Sequence, residues 1–130
     1  LMSTKRQRNK SRKSMLIAQL TDTHITVPND ENGDCYTKVE ALKRCVNAIN
    51  QLETLPDVII HTGDVVQNGS AAEYKLVKSI MDALRAPYFL TKGNRDCMGP
   101  LMQEFSSQEL KTRNRDFFQY SVNVRDYHLV

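Results

Sequence analysis

Short apolar runs alternate with amphipathic stretches along the chain from Met15 onward. The apolar runs predict three β-strands, and the second, rich in β-branched residues, is typical of a strand buried on both faces; the three lie at 15–21, 57–61 and 87–91. Between them, apolar residues recur every three or four positions over about 38–53 and about 71–84, the spacing of a buried helix face. This order predicts an α/β fold with a parallel βαβαβ core and right-handed crossovers.

Both predicted helices begin at a capping-box pattern. In this pattern Ser or Thr is followed three residues later by Glu, and it occurs at Thr37 with Glu40 and at Ser70 with Glu73. We expect Pro56 to end the first helix, because proline cannot donate a helix hydrogen bond.

The pattern is weaker in the last third of the chain. A short helix is expected near 100–105, with Pro100 in its first turn, before a polar connection over 106–115. Alternating apolar and polar residues then predict a β-hairpin, with Phe118, Tyr120 and Val122 in one strand and Tyr127–Val130 in the other.

The positive charge is concentrated in an N-terminal segment. The chain has 18 Lys plus Arg and 15 Asp plus Glu, yet six of the basic residues and no acid lie in 1–14. We therefore expect 1–14 to be a disordered basic tail and 15–130 to be one domain with an acidic balance. The acidic domain, and the lack of aromatics among the tail's charges, argue against a nucleic-acid partner, although a phosphate-binding tail is an open alternative.

Cysteine usage and hydropathy favour a cytoplasmic protein. No apolar run approaches the roughly 18 residues of a membrane span, so no membrane association is expected. The three cysteines form no C-x-x-C pair and are expected to be small, buried or half-buried side chains; they are Cys35, Cys45 and Cys97.

Polar residues follow each predicted strand. The three segments are Asp22-Thr23-His24, Gly63-Asp64 and Gly93-Asn94-Arg95-Asp96. Because parallel strands end at one edge of the sheet, we expect these segments to converge there. Carboxylate, imidazole and amide donors together suit Mn, Fe or Zn better than Ca.

These segments resemble the D-x-H, G-D and G-N-H-[DE] motifs of the calcineurin-like metallophosphoesterases. The wider matches AQLTDTHI, VIIHTGDVVQNG and PYFLTKGNRD resemble the bacterial class III cyclic-nucleotide phosphodiesterases, over about residues 15–105. The resemblance implies a β-sandwich flanked by helices around the parallel core. It also implies metal-dependent hydrolysis of a small phosphodiester, with a 3',5'-cyclic nucleotide as the favoured substrate.

The resemblance also implies a role for each matching residue. Asp22 and His24 would bind a first metal ion, Asp64 would bridge two, and Asn94 would bind the second and contact the phosphate, with Asn68 in a supporting role. The two divalent ions (Mn, Fe or Zn) would lower the pKa of a shared water and stabilise charge at phosphorus.

The chain departs from the family pattern at Arg95, where the family has His. Arginine can hold a phosphate through forked hydrogen bonds, but it stays protonated and cannot act as a general acid. Substrates with good leaving groups are therefore expected to be affected least by this replacement.

The second departure is that the later lone His and the G-H-x-H motif do not occur. The remaining histidines, His61 and His128, are expected to be structural strand residues. We therefore expect an N-terminal portion of such a domain, with the second half of the site absent. The alternative is a catalytically incomplete fragment that acts as a weak metal-binding or interaction module. A homo-oligomer is also an open alternative.

Overall fold

The structure is a computed structural model that describes residues 14–27, 33–106 and 119–130. The predicted tail before Ser14 and the polar connection beyond Ser106 lie outside the described residues, as do Phe118 and the side chain of Cys35. Cys45 is a half-buried free thiol, as expected. Cys97 is also a free thiol but is exposed, so the expectation of a buried or half-buried side chain is wrong at that position.

Three parallel strands form the central sheet, as the strand-helix alternation predicts. They are β1 (Ile17–Leu20), β2 (Val58–His61) and β3 (Tyr88–Leu90), in the order β1-β2-β3. In the strand register Leu20 pairs with His61, and His61 pairs with Leu90, so the last residues of the three strands are aligned at one edge of the sheet. The segments that follow them therefore start side by side.

The helix between β1 and β2 begins earlier than expected. Helix α1 spans Gly33–Asn50, so Thr37 lies inside it and the capping box predicted at Thr37 and Glu40 is wrong. A Thr caps a helix only where the backbone before it leaves helical dihedrals, and here the helix continues through it. Glu40 instead accepts a hydrogen bond from Lys43 Nζ at 2.8 Å.

The buried face of α1 is the predicted one. Val39, Leu42, Val46 and Ile49 are all buried against the sheet side of the molecule. The helix ends at Asn50, followed by a turn in which Leu52 N–H donates to the Ile49 carbonyl, so Pro56 lies beyond the helix end and does not set it.

The second crossover helix, α2 (Ala71–Met81), confirms its predicted start. Ser70 Oγ accepts from the Glu73 N–H at 3.3 Å, and a Glu73 carboxylate oxygen accepts from the Ser70 N–H at 3.0 Å. Tyr74, Val77 and Met81 are fully buried, whereas Leu84 lies in the turn after the helix rather than within it.

The last described elements are a short helix and a hairpin. Helix α3 (Met98–Glu104) has Pro100 in its first turn, as predicted. Strands β4 (Val122–Val124) and β5 (Tyr127–Leu129) pair antiparallel, which confirms the hairpin although its first strand begins at Val122.

Two contacts attach the hairpin region to the parallel sheet. The Tyr120 hydroxyl donates to the carbonyl of Leu90 at the end of β3. Arg125 Nη2 lies 2.6 Å from a carboxylate oxygen of Asp57, just before β2. Within the described ranges, no helix is long and apolar enough to cross a membrane.

Candidate metal centre

The segments after β1 and β2 run side by side as a continuation of the sheet. Asp22 N–H donates to the Gly63 carbonyl at 3.1 Å, and His24 N–H donates to the Asp64 carbonyl at 3.0 Å. Ile25 and Val66 then form a parallel bridge, and both are fully buried. These backbone hydrogen bonds set the positions of Asp22, His24 and Asp64 along the two segments relative to one another.

Three of the predicted site residues have left-handed backbone conformations. The φ angles are 53° for Asp22, 44° for His24 and 51° for Asp64. Such angles are uncommon outside glycine and cost about 1 kcal/mol or more at each residue. Strain of this kind persists where the surrounding structure imposes it, and it is concentrated at functional sites.

The side chains of these three residues converge on one point. His24 Nε2 lies 3.6 Å from Asp22 Oδ1 and 3.8 Å from Asp64 Oδ2. One ligand atom from each residue lies within 4.8 Å of the others. The side chain of Asp22 is 61% exposed and that of Asp64 15%, so the cluster opens to solvent on the Asp22 side.

The donor set fits a divalent cation. Two carboxylates face one imidazole, and among the described residues no Lys or Arg side chain forms an ion pair with Asp22 or Asp64. A cation at this point would offset the repulsion between the carboxylates, and mixed oxygen and nitrogen donors suit Mn, Fe or Zn. His24 Nδ1 is buried and has no hydrogen-bond partner in the described part of the chain.

The segment after β3 reaches the cluster through its backbone. Arg95 N–H donates to Asp64 Oδ1 at 2.9 Å, while the other Asp64 oxygen faces His24. Asn94 and Arg95 are exposed, and within the ranges described their side chains form no hydrogen bond or ion pair. The structure thus brings Asp22, His24 and Asp64 together and places Asn94 and Arg95 beside them.

Two glycines allow the second and third segments to touch. A Cβ on Gly93 would lie 2.2 Å from both the amide nitrogen and Oδ1 of Asp64. Gly63 has φ +108°, and a Cβ there would lie 2.7 Å from the Gly93 nitrogen. Both close approaches require residues without a side chain.

His61 is a buried structural histidine, as its position in β2 indicates. Its Nδ1 accepts from the Gly63 N–H at 3.3 Å, so the proton belongs on Nε2, which donates to Thr23 Oγ1 at 3.0 Å. Thr23 in turn donates to the Val65 carbonyl at 2.8 Å. Burial lowers the pKa of His61 to about 4, against smaller upward effects from Asp96 and Asp22.

Two further polar candidates, Asn68 and His128, have hydrogen-bond partners outside the cluster. The Asn68 amide donates to Glu73 Oε1 at 2.8 Å, which directs it toward the start of α2. His128 is exposed in β5, with its Nδ1 2.7 Å from Asn123 Oδ1.

Asp96 is the polar residue that sequence reasoning left without a role. It is 4% exposed, and its carboxylate accepts four hydrogen bonds, three from backbone amides in the segments after β2 and β3 and one from the Tyr74 hydroxyl of α2. The signal was present in the sequence, since an acid also ends the matching G-N-H-[DE] motif.

One protein family matches most of this chain. The sequence model of one family, described as calcineurin-like phosphoesterase, matches residues 15–129.

Three curated relatives illustrate the similarity. A probable glycerophosphodiester phosphodiesterase GpdQ of Arcobacter nitrofigilis is 37% identical over 116 residues, which is 87% of this chain and 40% of that protein. The glycerophosphodiester phosphodiesterase GpdQ of Enterobacter lignolyticus is 32% identical over 85 residues, 63% of this chain and 30% of that protein. The 3',5'-cyclic adenosine monophosphate phosphodiesterase CpdA of Pseudomonas aeruginosa is 26% identical over 117 residues, 90% of this chain and 40% of that protein. The chain therefore spans well under half the length of these relatives.

Proposed function

Because the chain belongs to the calcineurin-like phosphoesterase family, we propose that it carries part of the site of a metal-dependent phosphodiesterase. The observation that supports this most strongly is the cluster of Asp22, His24 and Asp64, whose ligand atoms lie within 4.8 Å of one another. All three residues have strained backbones, which is the cost expected for a preformed site.

In this proposal each residue of the cluster has a role in binding divalent cations. Asp22, His24 and Asp64 would hold a divalent cation, and Asp64 would also contribute to holding a second one. Bound divalent cations supply Lewis acidity to a phosphoryl group and lower the pKa of a coordinated water. A carboxylate would be needed at position 64, because an amide would bring no negative charge to offset that of bound cations.

Asn94 is proposed to bind the second cation and to contact the phosphate, and Arg95 is proposed to bind the phosphate. Both are exposed beside Asp64, and the Arg95 backbone is attached to that carboxylate at 2.9 Å. The guanidinium can orient two phosphate oxygens, but it cannot protonate a leaving group at neutral pH. Turnover should therefore depend strongly on the acidity of the leaving alcohol.

The proposed substrate is a small phosphodiester, with a 3',5'-cyclic nucleotide as the class that the motifs favour. Glycerophosphodiesters are the second candidate, because two relatives with higher identity to this chain are named for that substrate. A cytoplasmic location belongs to the same proposal.

The test is hydrolysis by the 130-residue chain loaded with Mn²⁺. Bis(p-nitrophenyl) phosphate, 3',5'-cyclic AMP and a glycerophosphodiester are compared at equal concentration. We expect turnover of the aryl diester that is lost on Asp64→Asn and retained in Asp126→Asn, the same exchange at an exposed turn position. Bound Mn²⁺ without turnover would favour the alternative of a catalytically incomplete metal-binding fragment. Absence of saturable Mn²⁺ binding would overturn the proposal that Asp22, His24 and Asp64 belong to the site of a metal-dependent phosphodiesterase. The ratio of the hydrolysis rates of 3',5'-cyclic AMP and the glycerophosphodiester decides the substrate class.

A further inference from the structure

A buried carboxylate lies directly behind the cluster. Asp96 follows the Gly93–Arg95 segment, and its side chain turns into the protein rather than toward solvent, with 4% of its surface exposed. A buried carboxylate is costly unless its oxygens are hydrogen-bonded, and here both are. The four donors are the backbone amides of Gly93, Val65 and Val66 and the hydroxyl of Tyr74.

One oxygen of Asp96 connects the two segments that meet at Asp64. Oδ2 accepts from the Gly93 N–H at 2.9 Å and from the Val65 N–H at 3.2 Å. Val65 directly follows Asp64, so this oxygen fixes how far Asp64 lies from the third segment. The Arg95 N–H···Asp64 Oδ1 bond of 2.9 Å forms between these same two segments.

The second oxygen attaches this arrangement to α2. Oδ1 accepts from the Val66 N–H at 3.3 Å and from the Tyr74 hydroxyl at 3.0 Å. Tyr74 is fully buried, and its hydroxyl also accepts the Cys97 N–H at 2.8 Å. Burial, with the nearby Asp96 charge, raises the pKa of Tyr74, so the hydroxyl remains a donor at any ordinary pH.

We infer that Asp96 is a positioning residue, held by Tyr74, that sets the distance between Asp64 and the Gly93–Arg95 segment and thereby the cluster's affinity for a divalent cation. The inference rests on the proposed function for the presence of a cation, whereas the hydrogen bonds of Asp96 do not depend on that function. Groups that orient ligands from behind commonly contribute about 10- to 100-fold to metal affinity.

The experiment compares three variants with the unaltered chain. Asp96→Asn keeps the shape but places NH₂ donors against backbone N–H donors. Tyr74→Phe removes one donor and changes no charge, so it separates positioning from simple loss of negative charge. Glu73→Gln is the control, because Glu73 is equally buried and accepts four hydrogen bonds, all from Asn68 and Ser70.

Two readouts are measured on each protein. The first is amide hydrogen exchange at Arg95 in the cation-free chain, relative to exchange at Val46 in the core. The second is a titration with Co²⁺, whose visible ligand-field bands report the geometry of its ligands. We expect Asp96→Asn to lose Arg95 protection selectively, to weaken Co²⁺ binding about 10-fold or more and to shift the bands. Tyr74→Phe should act in the same direction but by a smaller factor than Asp96→Asn, because the three backbone donors to Asp96 remain. Glu73→Gln should change neither readout.

The outcomes separate this inference from the proposed function. Unchanged Arg95 protection and unchanged Co²⁺ bands in Asp96→Asn would overturn the inference while leaving the proposed function standing. Equal loss of protection at Arg95 and Val46 would overturn it too, since Asp96 would then be a general stability residue. Absence of Co²⁺ binding by the unaltered chain would refute the proposed function, and Arg95 exchange would still decide the geometry. If Asp96→Asn does not fold, Tyr74→Phe decides, and identical readouts to the unaltered chain would refute the inference.

Discussion

The contact between Gly93 and Asp64 predicts a large effect from adding a single methyl group. In Gly93→Ala the new Cβ would lie 2.2 Å from Asp64 N and from Asp64 Oδ1, which already accepts the Arg95 N–H bond. The segments must separate to admit it. The Gly93 N–H bond to Asp96 and the Arg95 N–H bond to Asp64, both 2.9 Å, would then be lost or lengthened.

The magnitude follows from those two bonds. Hydrogen bonds to charged groups contribute about 1.5–3 kcal/mol each, so losing both costs about 3–6 kcal/mol. Alanine also lowers the conformational entropy of the unfolded chain relative to glycine, which stabilises the folded state by about 0.4–1 kcal/mol. The expected loss in the free energy of unfolding is therefore about 2–5 kcal/mol.

The assay is urea unfolding of Gly93→Ala beside Gly99→Ala, with divalent-cation affinity measured on both. Gly99 lies in the first turn of α3, and a Cβ there would meet nothing within 4 Å. Gly99→Ala should therefore be neutral or stabilise by up to about 1 kcal/mol. A loss below about 0.5 kcal/mol in Gly93→Ala, with unchanged cation affinity, would refute the reasoning about how the segments meet.

Three further outcomes are expected. Because burial lowers the pKa of His61 from 6.5 to about 4, only the unfolded chain takes up this proton between those values. Stability should thus fall by about 3 kcal/mol as pH drops from 6.5 to 4, and urea unfolding across this range should show a shallower dependence in His61→Gln. Ser70→Ala should lower the thermal midpoint through loss of about 1 kcal/mol of capping, whereas Thr37→Ala, inside α1, should not lower it. Arg95→His should accelerate hydrolysis of alkyl phosphodiesters more than that of aryl ones, since histidine can protonate a poor leaving group. Equal acceleration of both would contradict the idea that the unaltered chain lacks a general acid at this position.

The parallel core could be predicted because each element had several agreeing signals. Helix α2 combined a capping box with a buried face at Tyr74, Val77 and Met81, and the structure contains both. Helix α1 had the same two signals at Thr37 and Val39, yet the helix begins at Gly33. A capping pattern identifies a permitted start, and the residues before it decide whether the helix continues past it.

The convergence at the candidate site followed from topology, whereas its supports did not. Parallel strands that end level place Asp22 and Asp64 at one edge, as residue order alone implies. The left-handed backbone of His24 and the burial of Asp96 depend on contacts between segments about 30 or more residues apart, which no local pattern encodes. The sequence marks Asp96 only by its place at the end of the G-N-H-[DE] pattern. Its hydrogen-bond donors on α2 and on the segment after β2 are evident only in the folded chain.

The most direct measurement of the central claim is a calorimetric titration of the 130-residue chain with Mn²⁺ at pH 7.5, repeated on Asp64→Asn and Asp126→Asn. A cation held by Asp22, His24 and Asp64 predicts saturable binding to the unaltered chain and to Asp126→Asn, with affinity at least about 10-fold weaker in Asp64→Asn. No saturable binding, or equal affinity in all three proteins, would contradict the assignment of this cluster as a metal centre.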